Sequence, residues 1–292
     1  MSEQRALEVI EPGMLSQLQD GGRIGHMAVG VGRSGAADHS AYTLATRLVG
    51  NRRAEAAIEI TMGGLRVRAV GDLYAALTGA PAAATIDGRP AGHCALLRVP
   101  SGAELALGMP RVGLRTYLAV RGGFAVDPVL GSRSTDTMSG LGPPPLARGT
   151  VLPVGTAHKK MPRVDHAPVA APESGEVTVR VTPGPRQDWF ADPHQIGTVA
   201  WSVSDKSDRK GVRLVGGSLE RHPDYVGAEL PSEGMVRGAI QVPPNGEPVI
   251  FLNDHPVTGG YPVIGVVRTA DVDRVAQLTP GQAVRLRWEG RR

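Results

Sequence analysis

Short apolar runs recur along this chain, most of them alternating or β-branched and cut off by Gly or Pro. That pattern predicts many short strands rather than long helices. The runs that read as strands are Ala6 to Ile10, Leu65 to Ala69, Leu73 to Thr78, Leu96 to Val99, Glu104 to Leu107 and Arg115 to Val120. In the second half they are Val177 to Val181, Val236 to Gln241, Val249 to Leu252, Val263 to Val267 and Val284 to Trp288. Only two stretches carry a helical period. Asp38 is placed to cap a helix reaching about Val49, with Ala41, Leu44, Ala45, Leu48 and Val49 on one face and Gly50-Asn51 as the stop. Asp271 is placed to cap a second helix that turns Val272, Val275 and Ala276 inward and ends at Pro280-Gly281.

The 39 Gly and 24 Pro are spread through the sequence rather than gathered in low-complexity tracts, which fits a mainly β chain rich in turns. One stretch lacks any period: residues 158–175, polar and proline-rich, read as a linker or long surface loop. It divides the chain into domains at 1–157 and 176–292. The two parts keep a weak common order. LEVIEPG is followed by LQD, and VRVTPG by PRQDW; later TYLAVRGGFAVDPVL parallels PVIGVVRTADVDRVAQL, and each part then closes on a Gly turn and a strand. Such an order suggests a duplicated β-barrel module.

Composition narrows the functional classes. With 41% hydrophobic and 21% charged residues in 292, the chain can bury a full core. Cys94 is the only cysteine, so no intrachain disulfide can form, which suits a reducing cytoplasm. The opening residues carry no apolar signal segment, and no apolar run reaches the roughly 18 residues of a membrane span. Net charge is +4, from scattered arginines that are densest at Arg285, Arg287, Arg291 and Arg292. No basic stripe is interleaved with aromatics, so nucleic acid is not an expected partner. There is no GxxxxGK[ST] loop, HExxH, paired CxxC or GxSxG elbow, and the eight His show no metal-ligand spacing.

Four polar-glycine clusters remain as candidates for chemistry. The first contains Gln19, Asp20 and Arg23 among glycines, and is either a ligand loop or a turn with an internal ion pair. The second offers the guanidinium of Arg133 and the hydroxyl of Ser134, suited to a carboxylate or phosphate, or else is an exposed loop. The third places Arg209, Lys210 and Arg213 around a strand start, as an anion site or a solvated edge. The richest runs from Leu230 to Pro262 and carries Glu233, Gln241, Asp254, Thr258 and Tyr261; its alternative reading is a plain hairpin with a Gly-Gly turn.

Taken in order, LQDGGRIG, GVGRSGAAD, LVGN, IEIT, LTGA, RTYLAVRGGF, GSRST, SDRKGVRLVGG, SEG, GAIQVPPNGEPVIFLND and TGGYPVIGVV resemble one family across nearly the whole chain. It is the biotin-dependent carboxyltransferase family, whose members are known as the C subunit of 5-oxoprolinase and as allophanate hydrolase subunit 2. The resemblance implies two tandem cyclophilin-like β-barrels and an obligate partner, the smaller B subunit (the allophanate hydrolase subunit 1 type). In the 5-oxoprolinase system a separate A subunit, of the lactam-utilisation type, completes an ATP-dependent opening of a lactam. An alternative it implies is carboxyl transfer to urea or a similar amide, with biotin carried on another protein, since Lys159 and Lys160 lack a biotinylation context. A third is a regulatory binding module of a kinase-inhibitor pair. Such amide chemistry needs donors for oxyanion charge and a carboxylate to move a proton. Asp254 and Glu233 are the expected proton-transfer groups. Arg213, Gln241, Thr258 and Tyr261, with Arg133 and Ser134, are expected to bind substrate. His255-Pro256-Val257-Thr258 stands where many relatives have a Gln followed by two hydroxyl residues, while Asp254, Thr258, Gly259, Gly260 and Tyr261 still match the pattern.

Overall fold

The computed structural model describes residues 5–289, and Arg291 and Arg292 of the basic run lie outside the described residues. The chain is mainly β. Its residues group into two compact units. The first holds residues up to Ile24, Ser34–Asp136 and Gly140–Pro172; the second holds Gly25–Arg33, Thr137–Ser139 and the chain from Glu173 onward. Two short pieces of the first half therefore belong to the second unit, an exchange that hydrophobic periodicity does not report.

Unit 1 is built from β1 (Ala6–Pro12), β2 (Leu15–Gln19), α1 (His39–Leu48), β3 (Ala57–Thr61), β4 (Leu65–Val70), β5 (Leu73–Gly79), β6 (Ala82–Ile86), β7 (Arg89–Ala91), β8 (Leu96–Val99), β9 (Glu104–Pro110), β10 (Arg115–Val120) and β11 (Val151–Pro153). They form two sheets, β11-β1-β4-β9-β6-β7 and β2-β3-β10-β5-β8. Both sheets feed one core: Leu7, Val9, Leu65, Val67 and Leu105 from the first, Leu18, Ile58, Ile60, Leu77 and Leu118 from the second. Helix α1 covers the other face of the second sheet, packing Tyr42, Ala45 and Leu48 on Ala57, Ala76, Tyr117 and Ala119. Its cap is as read from the sequence, the Asp38 carboxylate accepting from the Ala41 N–H at 2.9 Å. Residues 158–172 contain no strand or helix, yet they are tied to unit 1 by Leu96 N–H to Asp165 O and Ala167 N–H to Cys94 O.

Unit 2 contains β12 (Val177–Pro183), β13 (Trp201–Val203), β14 (Gly211–Val215), β15 (Glu233–Gly234), β16 (Ala239–Gln241), β17 (Val249–Phe251), β18 (Thr258–Gly259), β19 (Val263–Val267), α2 (Thr269–Val275) and β20 (Ala283–Trp288). Seven of the strands close into a barrel in the order β12-β19-β16-β17-β14-β13-β20. Only β12 and β20 run parallel. Closure leaves this sheet no free edge. Val179, Val212, Leu214, Ile240, Ile250, Ile264 and Leu286 are buried and alternate with outward positions on their strands. The pair β15–β18 lies apart as a two-stranded ribbon.

Two local expectations change. The run Val236 to Gln241 is strand only from Ala239, because Gly238 takes a left-handed φ of +89° and Val236 is exposed. Asp271 does not cap α2. It sits inside the first turn, where its carboxylate takes three hydrogen bonds from the Arg180 backbone and guanidinium at 2.7 to 2.9 Å.

Candidate functional site

The motif residues of unit 1 collapse into a closed network around one carboxylate. Asp20 Oδ1 accepts from the Ser132 and Ser134 hydroxyls, both at 2.7 Å, and from Gly22 N–H at 2.8 Å; Oδ2 accepts from Arg133 N–H at 2.6 Å. The Arg133 guanidinium is turned to the carbonyls of Val126 and Ala54. Gln19 Nε2 donates to Thr135 O, and the buried Arg23 donates to the carbonyls of Val129 and Ser134. Gln19, Asp20, Arg23, Ser132 and Ser134 are all buried. The expectation that Arg133 and Ser134 bind substrate, with Gln19, Asp20 and Arg23 as further candidates, meets side chains spent on holding the loops 19–23 and 131–135 together.

In unit 2 the polar residues are arranged differently. Register places Arg213 opposite Val249, Val249 opposite Gln241, and Gln241 opposite Val263. Cross-strand partners share a face, so Arg213 and Gln241 stand in one outward row about 10 Å apart, two strand spacings. The floor of this face is apolar: Ala239, Val249, Phe251 and Val263, with Met235 laid over it from the chain just after β15. Gln241 is buried and donates to Tyr261 O at 3.1 Å. A Cβ on Gly259 would meet the Gln241 amide nitrogen at 2.6 Å, so a larger residue there would push the Gln241 side chain aside. Glu233 sits on the same ribbon opposite Gly259 and pairs with Arg186. Thr258 and Tyr261 are exposed. Arg213 is also exposed, and among the described residues its guanidinium makes no ion pair.

Asp254 occupies another position. It is 1% exposed, and both oxygens are taken. Oδ2 accepts from Arg209 Nε at 3.0 Å, Thr137 N–H at 3.0 Å and the Thr137 hydroxyl at 2.7 Å, and Oδ1 accepts from Arg209 at 3.1 Å. Burial alone would raise its pKa, but the Arg209 charge and these hydrogen bonds win, and the carboxyl lies below its ordinary range. A carboxylate so held is a poor proton acceptor. Asp254, expected from the sequence to move a proton, has both oxygens engaged here and ties down the inserted segment Thr137–Ser139.

The side chains that sequence reasoning misses are mostly arginines. Arg186 holds Glu233, and Arg209 holds Asp254. Arg237 joins Asn253 to Asp273 at 2.7 and 2.6 Å. Arg221 donates to Val242 O at 2.7 Å while lying over the rings of Phe190 and Trp189. Their signals in the sequence are the PRQDW motif, which carries Arg186 and Trp189 but speaks first of a repeat, and SDRKG, which carries Arg209 but reads as an anion site or a solvated edge. Among the described residues no group of three His, Cys, Asp or Glu side chains could hold a metal ion.

Comparison with known proteins agrees over nearly the full length. The family described as carboxyltransferase domain, subdomain A and B, matches residues 29–288. The C subunit of Escherichia coli 5-oxoprolinase is 38% identical over 95% of this chain and 89% of its own length. Urea amidolyase of Lachancea kluyveri is 32% identical over 96% of this chain, but only 17% of that enzyme is covered. The crystal structure of TTHA0988 superposes with a TM-score of 0.87 at 32% identity, covering 98% of this chain and 56% of that one. For Kluyveromyces lactis urea amidolyase the TM-score is 0.86 at 30% identity, with 98% of this chain and 19% of that one covered.

Proposed function

The chain belongs to the carboxyltransferase-domain family, subdomains A and B, and from that premise we propose that it is the C-type subunit of an ATP-dependent 5-oxoprolinase complex. In this reading it acts in the cytoplasm with a smaller B-type partner and a separate A-type partner to open a cyclic amide. One observation carries the choice of substrate class. The match to the C subunit of a 5-oxoprolinase is 38% identical and spans 89% of that protein, against 32% identity over 17% of the urea amidolyase.

The outward face of unit 2 suits a small lactam acid. The apolar residues there are buried under Met235, so a ligand would meet the rim of the face, where the Gln241 amide oxygen could accept from a lactam N–H and Arg213 would meet the carboxylate. Glu233, half-exposed and held by Arg186, remains in the reading as a proton-handling or orienting carboxylate at the rim, beside Thr258 and Tyr261. ATP fits this face less well. A triphosphate needs several converging N–H or cationic donors, and among the described residues Arg213 is the exposed, unpaired cation of the row. We therefore assign nucleotide binding to the complex rather than to this chain.

A second reading has support of its own, because the urea amidolyase of Lachancea kluyveri and its relative of known structure match the same residues. There the chain would carry carboxyl transfer to an amide, with biotin delivered on another protein. Reconstitution separates the two. The chain mixed with its A-type and B-type partners, 5-oxoproline and ATP should release glutamate and ADP, and should do so only when all three proteins are present. Absence of glutamate, together with carboxylation of urea when a biotinylated carrier is supplied, would replace the first reading with the second.

A further inference from the structure

Two stretches of the first half, residues 39–54 and 140–164, carry no Asp or Glu; they end at Glu55 and Asp165. Unit 1 brings them together at Gly50, just past the C-terminal end of α1. Gly50 takes a left-handed φ of +70°, and a Cβ there would lie 2.8 Å from the Arg121 guanidinium and 3.0 Å from Lys160 O. Arg121 spans the junction, donating to Val49 O at 2.9 Å and to Lys159 O at 2.5 Å, and the Lys159 ammonium reaches Asn51 O at 3.5 Å. The turn after the helix is fixed by the Tyr42 hydroxyl, shared between Arg53 O at 2.6 Å and Glu55 O at 3.0 Å. Arg47, Arg52, Arg53, Lys159, Lys160 and Arg163 stand exposed around this junction. Among the described residues none of them makes an ion pair with a carboxylate; Arg53 meets only the ring of His39. Glu55 is half-buried and turned away, its Oε2 accepting from Arg52 N–H at 2.6 Å and its Oε1 lying 4.0 Å from His158. Surface arginines elsewhere are matched: Arg66 by Glu104, Arg68 by Glu8, Arg98 by Asp72, Arg274 by Glu173 and Arg285 by Glu176.

We propose that this corner of unit 1 is a docking surface for an acidic protein face, and that its occupant is a partner chain of the complex proposed above. Folding gathers like charges on a fixed turn without supplying their counter-charge, and a carboxylate-rich surface relieves that repulsion. Guanidinium groups favour such a surface, because each can offer a carboxylate two parallel N–H bonds. A nucleic acid suits the corner less well. Tyr42 is the only Phe, Tyr or Trp in either stretch, and it is fully buried, so no ring is offered for a base to stack on. A small anion is disfavoured too, since it would face the carbonyl end of α1. An extended acidic face meets the outlying cations instead. The identity of the occupant rests on the multi-chain reading; the sign of its charge does not.

The test compares two triple variants with the same change in charge. Arg52→Glu, Arg53→Glu and Lys160→Glu together reverse the corner. Arg89→Glu, Arg111→Glu and Arg287→Glu reverse three exposed cations placed elsewhere, which also lack ion pairs among the described residues. Both variants should melt close to the parent. Calorimetry then measures association of the full chain with the purified A-type and B-type chains. With at least one of them the parent should bind, and binding should weaken as salt is raised. Reversing the corner should weaken it about 10²-fold, against about threefold or less for the control variant. Equal losses in the two variants, or no loss in either, would overturn the proposal. A second arm needs no partner chain. A fluorescent decaglutamate peptide should bind the parent and the control variant but not the corner variant. A peptide bound equally by all three proteins, or by none, would overturn the proposal. So would single-stranded DNA of the same charge, if it binds the parent more tightly than the peptide and is lost only in the corner variant. If the parent binds neither partner chain while the peptide follows the expected pattern, the multi-chain reading fails and the acidic-partner surface stands.

Discussion

Two carboxylates from equally dense motifs, Asp20 in unit 1 and Asp254 in unit 2, are both almost fully buried, but they are satisfied in different ways. Asp20 is held by neutral donors, two serine hydroxyls and two backbone N–H groups. Asp254 is held by a guanidinium as buried as itself and by the hydroxyl and N–H of Thr137. The surroundings differ as well. Around Asp20 the neighbouring motif residues turn inward and bond to backbone. Past Asp254 the chain emerges onto an outward barrel face where Thr258 and Tyr261 are exposed, as is Arg213, which has no ion-pair partner among the described residues. The comparison teaches that a cluster of polar residues among glycines marks a place where loops must be locked, and only its unlocked side chains are candidates for chemistry.

The largest effect should follow from breaking the charged lock. Arg209→Leu strands a buried carboxylate and should destabilise unit 2 by about 3–5 kcal/mol. Denaturant melts followed by Trp fluorescence would report it, and a loss under about 1 kcal/mol would mean that the pair is not buried in solution. Asp20→Ala removes the acceptor for four donors without stranding a charge. A smaller loss of about 2–3 kcal/mol is expected, with little change in activity once the chain is folded. Greater damage to catalysis than to stability would reverse the roles assigned to the two units.

Acid should weaken the helix clamp of unit 2 by a similar or smaller amount. Hydrogen bonds from Arg180, with that residue's charge, push the Asp271 carboxyl down to about 2, while the unfolded chain titrates near an ordinary Asp. A depressed pKa gives stability that is complete above about pH 4 and is lost as pH falls toward 2. The contribution is roughly 2 kcal/mol. Asp271→Asn should flatten that part of the stability–pH curve, and an unchanged slope would count against the clamp. Smallest of all, Thr258→Ala and Tyr261→Phe should change stability by about 0.5 kcal/mol or less, as expected for exposed positions. Both should nevertheless lower turnover of the complex, and full turnover in both would move the site away from this rim.

Much of this fold can be read from alternation and turns. Strands such as Arg115–Val120 and Val263–Val267, and helix α1 with its Asp38 cap, are local features that a window of residues reports. β2 and β3 escape such a window because Gln17, Gln19 and Glu59 are buried, so their faces do not look apolar. The ribbon β15–β18 escapes it because two-residue strands carry no period. The candidate site is legible in part. Glu233, Gln241, Thr258 and Tyr261 do gather on one ribbon and barrel face. Which carboxylate stays available for chemistry is not legible. That depends on Arg209 and Arg186, distant in sequence, and on a segment at Thr137 that joins unit 2 from the first half of the chain.

The central claim is that amide chemistry takes place on the outward face of the unit 2 barrel. Gln241→Leu tests it most directly, since the change keeps the side chain's bulk and removes the amide at the centre of that face. In the complex reconstituted with both partner proteins, ATP-dependent release of glutamate from 5-oxoproline should fall at least about tenfold, the scale of one lost hydrogen bond to a reacting group, while the melting temperature holds. A variant that melts like its parent and turns over at the parental rate would contradict the claim.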